Sequence, residues 1–506
     1  MSLVRSIFTV GSLTMLSRVL GLVREMLQSR LIGAGVEQSA FTLAFAIPNM
    51  ARKLFGEGAL TAAFVPLFKG AVEQDGLEKA AAFARTVMTM VLLLLGALVA
   101  LALTFLVGTL SFADALSPRA RLTLSLVAIL FPYMLAICGA AFGMGVLNAL
   151  GKFKASSFMP ALLNLVWIAT LAALAFFPSL SVVARVRLVA TAILLGGFAQ
   201  MAFMFVAMAK TGVVPRLSLK GWRSERVRTV WRNLAIAAMG AGAIQVNYML
   251  DQVLGQLAAP WAAGVIGYAE RLMDLPLGVI GVAFGTVLLP TFAGFFAKDD
   301  APRAREALKS SLRNMVFVML PASFGLAVLA REVTEVVYEG GSFDALATTR
   351  VSRALFVYAL SLVFFGVQKS LIPFFQAQKD LKTPLRVSLF SVVANAVLNI
   401  LAVALLPEEW RHVGLAASTL LCAAFGCALL ARAVVRRNGF RPFAGEGRFL
   451  FLALSASLAM SLVVFFVRHV TAACAPILAL ALSVLAGLVA YLALMAPWAL
   501  KVWRRR

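Results

Sequence analysis

Two histidines and 22 acidic residues in a chain of 506 leave little material for acid–base chemistry. His412 and His469 stand far apart and without partners, and the stretches between hydrophobic runs on one side are short. An enzyme working at a membrane surface needs catalytic groups there, so that class is disfavoured. The four cysteines (Cys138, Cys422, Cys427, Cys474) lie in or beside apolar stretches with neither metal-ligand nor disulfide spacing, and read as small core residues. Charge is scarce overall, at 13% of residues against about 25% in soluble domains. A cleavable signal peptide is not expected, because the first apolar stretch lacks a small-residue cleavage site and runs on into charged sequence.

What the chain has instead is apolar length. Hydrophobic residues make up 62% of it, and the mean hydropathy is +0.93. The apolar blocks are long enough to cross a hydrocarbon layer, which takes about 20 helical residues. Backbone groups in lipid must satisfy one another, so these blocks are expected to be helices, and they are too continuous for barrel strands. The expected fold is an all-α polytopic membrane protein with about fourteen spans. These fall near 7–29, 40–68, 85–109, 122–148, 158–178, 188–209, 233–257, 263–292, 314–330, 353–376, 387–406, 413–433, 449–467 and 476–499.

The net charge of +24 then finds an explanation without nucleic acid. Lys and Arg concentrate in alternate loops, at Lys152 and Lys154, 216–228, 298–309, Lys379 and Lys382, 436–441 and 504–506. The opposite loops are sparse in such residues, and 331–350 is rich in acid. The positive-inside rule places both termini in the cytoplasm of a multi-pass inner-membrane protein. Segment 212–232, with Trp222 and Trp231 among arginines and lysines, reads as an amphipathic helix on the cytoplasmic leaflet. It lies near the midpoint, and short matches hint at duplication. The sequence 64–68 (FVPLF) resembles 288–292 (LLPTF), and Pro48 precedes Pro276 by 228 residues. The same 228-residue spacing relates 148–154 (NALGKFK) to 376–382 (QAQKDLK). Two six-helix repeats are expected, an N lobe over 1–211 and a C lobe over 233–437, with two further helices and a basic tail in 438–506. Repeated bundles around a central site are a common transporter build.

Ionisable groups inside the apolar runs carry the functional argument. The first span contains Ser17, Arg18, Arg24 and Glu25; the second contains Asn49, Arg52, Lys53, Gly56 and Glu57, spaced to fall on one helical face. The eighth opens with Glu270, Arg271 and Asp274. A charge at mid-bilayer costs about 2.5–3.5 kcal/mol on insertion scales, so these groups must face a bundle interior or a watery cavity. Pairing among themselves is the plainer reading: Arg18 with Glu25, Lys53 with Glu57, Arg271 with Asp274. That scheme assigns Arg24 and Arg52 to a ligand. Guanidinium is permanently charged, planar and suited to phosphate, so an anionic substrate is expected.

The segments 17–25 (SRVLGLVRE), 47–68 (IPNMARKLFGEGALTAAFVPLF) and 268–292 (YAERLMDLPLGVIGVAFGTVLLPTF) resemble the signature stretches of the MurJ (MviN) family. Members are lipid II flippases of peptidoglycan synthesis, within the MOP (MATE-like) exporter superfamily. The resemblance implies that Arg18, Arg24, Arg52 and Arg271 line a cavity for the diphosphate, with Ser17, Glu25, Asn49, Lys53, Glu57 and Asp274 around them. Position 25, often Asp in the family, is Glu here. It also implies that the two C-terminal helices carry the undecaprenyl tail; 449–467 and 476–499 hold no charged residue. Lipid II and membrane phospholipids are the implied partners, with peptidoglycan synthesis proteins as candidates and a monomer as the transport unit.

No cofactor is called for beyond a coupling ion, Na+ or H+. Asp251 and Asn247, with Asn395, Asn399 and Thr419, are candidate cation ligands, since oxygen donors suit a hard cation. The competing reading makes the asparagines interhelical hydrogen-bonders. Lys369 is expected to be a further buried charge. The readings to beat are an oligosaccharide-lipid flippase, a cation or drug antiporter of the same superfamily, a lipid-consuming enzyme and a cell-wall scaffold. An acidic, aromatic pocket expected for drug cations does not match the arginine-rich first half.

Overall fold

A computed structural model describes residues 3–53, 60–112 and 116–503, which fold predominantly into α-helices. Side chains of 3–10, 61–62, 238–241, 243–244, 246–247, 279–286 and 499–503 lie outside the description. The helices are α1 (Leu3–Ile32), α2 (Val36–Ala51), α3 (Leu60–Ser111), α4 (Pro118–Leu130), α5 (Tyr133–Ala149), α6 (Phe153–Ala175), α7 (Val182–Ala209) and α8 (Glu225–Ala258). They continue as α9 (Ala262–Ala297), α10 (Ala301–Val328), α11 (Ala330–Tyr338), α12 (Ala345–Ala377), α13 (Lys382–Leu405), α14 (Glu408–Asn438), α15 (Gly447–Val470) and α16 (Pro476–Trp503). Ten spans among the described residues are long and apolar enough to cross a membrane. Large apolar side chains are exposed along them, as at Leu101, Phe105, Val393, Ile400, Leu462 and Phe466. A hydrocarbon solvent removes the cost of such exposure, and the chain is a multi-pass membrane protein.

By packing, the chain divides into two compact units: 1–256 with 340–343, and 257–339 with 344–506. The boundary falls at the end of α8, one helix later than the lobe boundary read from the repeat. Side-chain contacts account for that placement. Gln256 donates to the Ser39 carbonyl at 2.6 Å and accepts from Arg119, and Arg226 pairs with Asp75. The first unit centres on Phe41, Phe64, Phe68, Phe142 and Trp167, the second on Phe292, Phe374 and Phe375. Segment 340–343 joins the first unit backbone to backbone: Ser342 N–H donates to the Arg30 carbonyl at 2.8 Å. A Cβ at Gly341 would run into that same carbonyl, so the close approach depends on glycine.

Several expectations need correction. Within the expected span 40–68, α2 ends at Ala51 and passes into a wider turn at Arg52–Lys53, residues 54–59 are not described, and α3 begins at Leu60. Pro48 inside α2 has no N–H and weakens the regular ladder just before that point. Gly56 and Glu57 lie outside the described residues. Residues 213–219 of the connecting segment form no helix. They run extended because the backbone is held by α3 instead: Ser218 N–H donates to Thr89 Oγ1 at 2.8 Å, and Thr86 Oγ1 donates to the Lys220 carbonyl at 2.6 Å. Trp222 is half-exposed, while helix resumes only at Glu225. Of the cysteines, Cys138 and Cys422 are buried, but Cys474 is exposed. Lys369 is exposed as well, rather than buried within the protein.

The 228-residue spacing recurs in geometry. After α5, Gly151 N–H bonds the Asn148 carbonyl (3.1 Å) and Lys152 N–H the Leu147 carbonyl (2.8 Å). After α12, Lys379 N–H bonds Gln376 (2.9 Å) and Asp380 N–H bonds Phe375 (3.0 Å). Both are the same helix-closing motif, and Gly151 and Lys379 occupy its left-handed position at φ 71° and 60°. An L-residue there is strained by about 1–2 kcal/mol. Gly151→Lys should therefore lower the thermal midpoint of the purified protein, whereas Lys379→Gly should leave it unchanged or raise it. Equal destabilisation by both would show that the two turns are not equivalent.

Candidate functional site

The first unit gathers its polar groups where α1 packs on α6. Asn164 of α6 reaches α1 beside Gly21, its Nδ2 lying 3.8 Å from where a Cβ would stand, an ordinary contact distance. Asn164 Nδ2 donates to the Ser17 carbonyl at 3.0 Å, and its Oδ1 accepts from Arg24 Nη1 at 2.8 Å. The other branch of the guanidinium, Nη2, is ion-paired with Glu25. One turn along α6, the Trp167 ring lies 4.4 Å from the Arg24 guanidinium carbon. Trp167 is itself fixed by edge-on contacts with Phe41 (5.7 Å) and Phe45 (5.6 Å). Arg24 and Glu25 are largely removed from solvent, at 15% and 7% side-chain exposure.

Glu25 pairs with the adjacent Arg24, whose guanidinium Asn164 and Trp167 draw to their side of α1, a pair that helical spacing did not suggest. Arg18 and Ser17 are half-buried. At the end of α2, Arg52 Nε donates to Asn49 Oδ1 at 3.1 Å. Lys53 Nζ stands 4.8 Å from the centre of the Tyr248 ring on α8. Tyr133, wholly buried, lies within electrostatic reach of both Arg52 and Arg24, so the α1 and α2 groups share one interior. Sequence reasoning missed Asn164, Trp167, Tyr133 and Tyr248. A polar residue inside an apolar span, followed three places later by Trp, was the available signal for the first two.

In the second unit, α9 carries Glu270 and Arg271, both half-buried, and Asp274, which is exposed. An apolar groove of about 530 Å³ opens among α9, α10, α15 and α16, lined by Pro276, Phe317, Pro321, Gly325, Met460 and Tyr491, among others. Tyr491 donates to the Phe317 carbonyl at 2.8 Å. The candidate cation ligands divide between units: Asp251 is buried in the first, and Asn395, Asn399 and Thr419 belong to the second. Asn399 Nδ2 donates to Asn395 Oδ1 at 2.9 Å, within α13, and the Thr419 hydroxyl donates to the Leu415 carbonyl at 3.3 Å. The side chain of Asn247 is outside the description. Among the described residues no three His, Cys, Asp or Glu side chains cluster as metal ligands. His412 is buried against Trp261, with Nε2 3.1 Å from the Arg350 carbonyl, a packing arrangement.

A helical membrane bundle with buried, forked arginine contacts and an apolar groove defines the class of a membrane transporter. Residues 28–485 match the model of the family described as "Lipid II flippase MurJ". The chain belongs to that family. It is 34% identical over 416 residues to a probable lipid II flippase MurJ of Rhizobium tropici, covering 81% of this chain and 77% of the relative. It is 32% identical over 475 residues to the lipid II flippase MurJ of Burkholderia cenocepacia, covering 91% and 89%. Among solved structures, lipid II flippase MurJ in an inward closed conformation superposes with a TM-score of 0.79 at 23% identity, over 97% of this chain and 99% of that one. An inward-facing multidrug MATE transporter of the MOP superfamily gives 0.68 at 15% identity, over 85% and 99%. The last two establish likeness of fold.

Removing one partner of a buried pair strands the other charge, at about 3–5 kcal/mol. Glu25→Ala should accordingly lower the thermal midpoint of the purified chain, and Arg24→Ala added to it should recover part of the loss. A double variant less stable than either single one would show that the pair does not act as a unit.

Proposed function

We propose that this chain flips lipid II, the undecaprenyl-diphosphate-linked peptidoglycan precursor, from the inner to the outer leaflet of the cytoplasmic membrane. The carrying observation is the Arg24 guanidinium, held by side chains inside an apolar bundle in a chain of the lipid II flippase family. Arg24, Arg52, Arg18 and Arg271 supply the charge that meets the diphosphate, with Ser17, Glu25, Asn49, Lys53, Glu57 and Asp274 around them. Guanidinium suits this ligand because two parallel donors match two phosphate oxygens, and its charge does not titrate. No bond is made or broken.

Twelve of the fourteen spans form two six-helix lobes, 1–211 and 233–437, with the last two spans beyond them; rocking of the lobes gives alternating access, and both termini are cytoplasmic. The isoprenoid tail stays in the lipid phase along α15 and α16, and the apolar groove there supports that assignment. One chain suffices for transport. The membrane potential favours the loaded step, since moving an anion out of a negative interior gains about 2.3 kcal/mol per charge per 100 mV.

Lipid II accessibility at the outer face of cells depleted of their own flippase tests the reading. The intact chain should restore access, while Arg24→Ala and Arg271→Ala at equal abundance should not. Well-expressed intact chain that leaves lipid II inaccessible would overturn the substrate. Rescue by the arginine variants would overturn the binding site alone.

The groove generates its own test. A Cβ at Gly325 meets only the end of the Met460 side chain, at 3.7 Å, so a large side chain there fills the groove without displacing backbone. Gly325→Phe should reach normal abundance and flip lipid II more slowly, and an unchanged rate would dissociate the groove from the tail.

A further inference from the structure

Arg24 is built into α6 as much as into α1. Its Nη1 is engaged by Asn164 at 2.8 Å, the face of its guanidinium lies 4.4 Å from the Trp167 ring, and Glu25 holds Nη2. Asn164 is anchored in turn through the Ser17 carbonyl at 3.0 Å, and Trp167 by Phe41 and Phe45. These supports differ in what an arriving anion does to them. A phosphate competes most directly with the carboxylate of Glu25, since both are anions accepting from the guanidinium, whereas the neutral amide oxygen of Asn164 holds a different nitrogen and the Trp167 ring takes no N–H. A long side chain released from its counter-ion loses its orientation, and an unoriented guanidinium cannot offer two parallel hydrogen bonds.

We propose that Asn164 and Trp167 are positioning residues for lipid II recognition, holding the Arg24 guanidinium in register while the diphosphate takes the place of Glu25. The proposal rests on the reading that Arg24 meets the diphosphate. Asn164 fixes the direction of the fork, and Trp167 covers one face of it, so that only its edge is presented. The amide is suited to this work because it is neutral. A carboxylate at 164 would accept the same hydrogen bond, yet add a second negative charge beside Arg24 and lose the donor to Ser17.

The test is lipid II affinity of the purified full chain in nanodiscs, for Asn164→Ala, Asn164→Asp, Trp167→Phe and Trp167→Leu, each alone and combined with Arg24→Lys. Asn164→Ala should weaken binding about tenfold, the size of one hydrogen bond to a charged group. Asn164→Asp should weaken it further, and Trp167→Phe should bind better than Trp167→Leu because it retains a ring face. In the Arg24→Lys background, whose ammonium cannot use the fork, Asn164→Ala should have almost no further effect. Equal, additive losses in both backgrounds would mean a packing role only and overturn the positioning role. So would an Asn164→Asp protein that binds like the intact chain. Trp167→Leu tests the idea only where it folds, which Trp167→Phe and the two Asn164 variants make unnecessary. Arg24→Lys or Arg24→Ala binding lipid II as tightly as the intact chain would sink the diphosphate reading itself. Loss on Arg24 substitution with intact affinity in the Asn164 and Trp167 variants would sink this inference alone.

Discussion

Placing a guanidinium inside an apolar bundle is the constraint around which the first unit is organised. Water is absent from the hydrocarbon layer, so an arginine there needs a full set of partners from the protein. Arg24 finds a carboxylate beside it, an amide on the neighbouring helix and an indole face. Each partner is then supported in its turn, the amide by a backbone carbonyl and the indole by two phenylalanines. The packing of α1 on α6 brings Asn164 within reach of both Arg24 and the Ser17 carbonyl.

Much of this was legible in the residues, and the limits have physical causes. Composition and run length predicted helices in a membrane, because no other structure satisfies the backbone there. The motif stretches pointed to Arg18, Arg24, Arg52 and Arg271 as the cavity residues. Helical spacing did not suggest the Arg24–Glu25 pair, because a side chain as long as arginine goes where its tertiary partners are rather than where its own helix points it. Asn164 lies 140 residues from Arg24, and no periodicity within either helix links them. The wider turn at Arg52–Lys53 and the non-helical run 213–219 were missed for a related reason. Apolar run length does not report a local rearrangement of backbone hydrogen bonds, and extended backbone can be held by another element, as Thr86 and Thr89 hold this one.

The repeat shows the opposite balance. The resemblance of 148–154 to 376–382 is slight in letters, yet both stretches close their helices with the same pair of hydrogen bonds and the same left-handed residue. Glycine serves at 151 and lysine at 379, so geometry outlasts residue type. The described helices differ in the two stretches: Pro276 and Pro290 lie within α9, whereas Pro48 lies in α2 and Pro66 in α3. The wider turn at Arg52–Lys53 follows directly on α2, which carries Asn49.

Under the flippase reading, that difference bears on how an arginine site can both stay folded and bind an anion. A resting guanidinium without a counter-ion would destabilise the apolar bundle, and one locked to its carboxylate by every donor would have nothing to offer a substrate. Sharing the donors solves both demands: the carboxylate neutralises the charge at rest, while the neutral amide and the ring keep geometry without consuming charge. The net charge of the Arg24–Glu25 pair is zero when empty. An incoming diphosphate then brings negative charge that the remaining cations, Arg18, Arg52, Lys53 and Arg271, must balance. On that argument the neutral partners of Arg24 are as much a part of recognition as the charged ones.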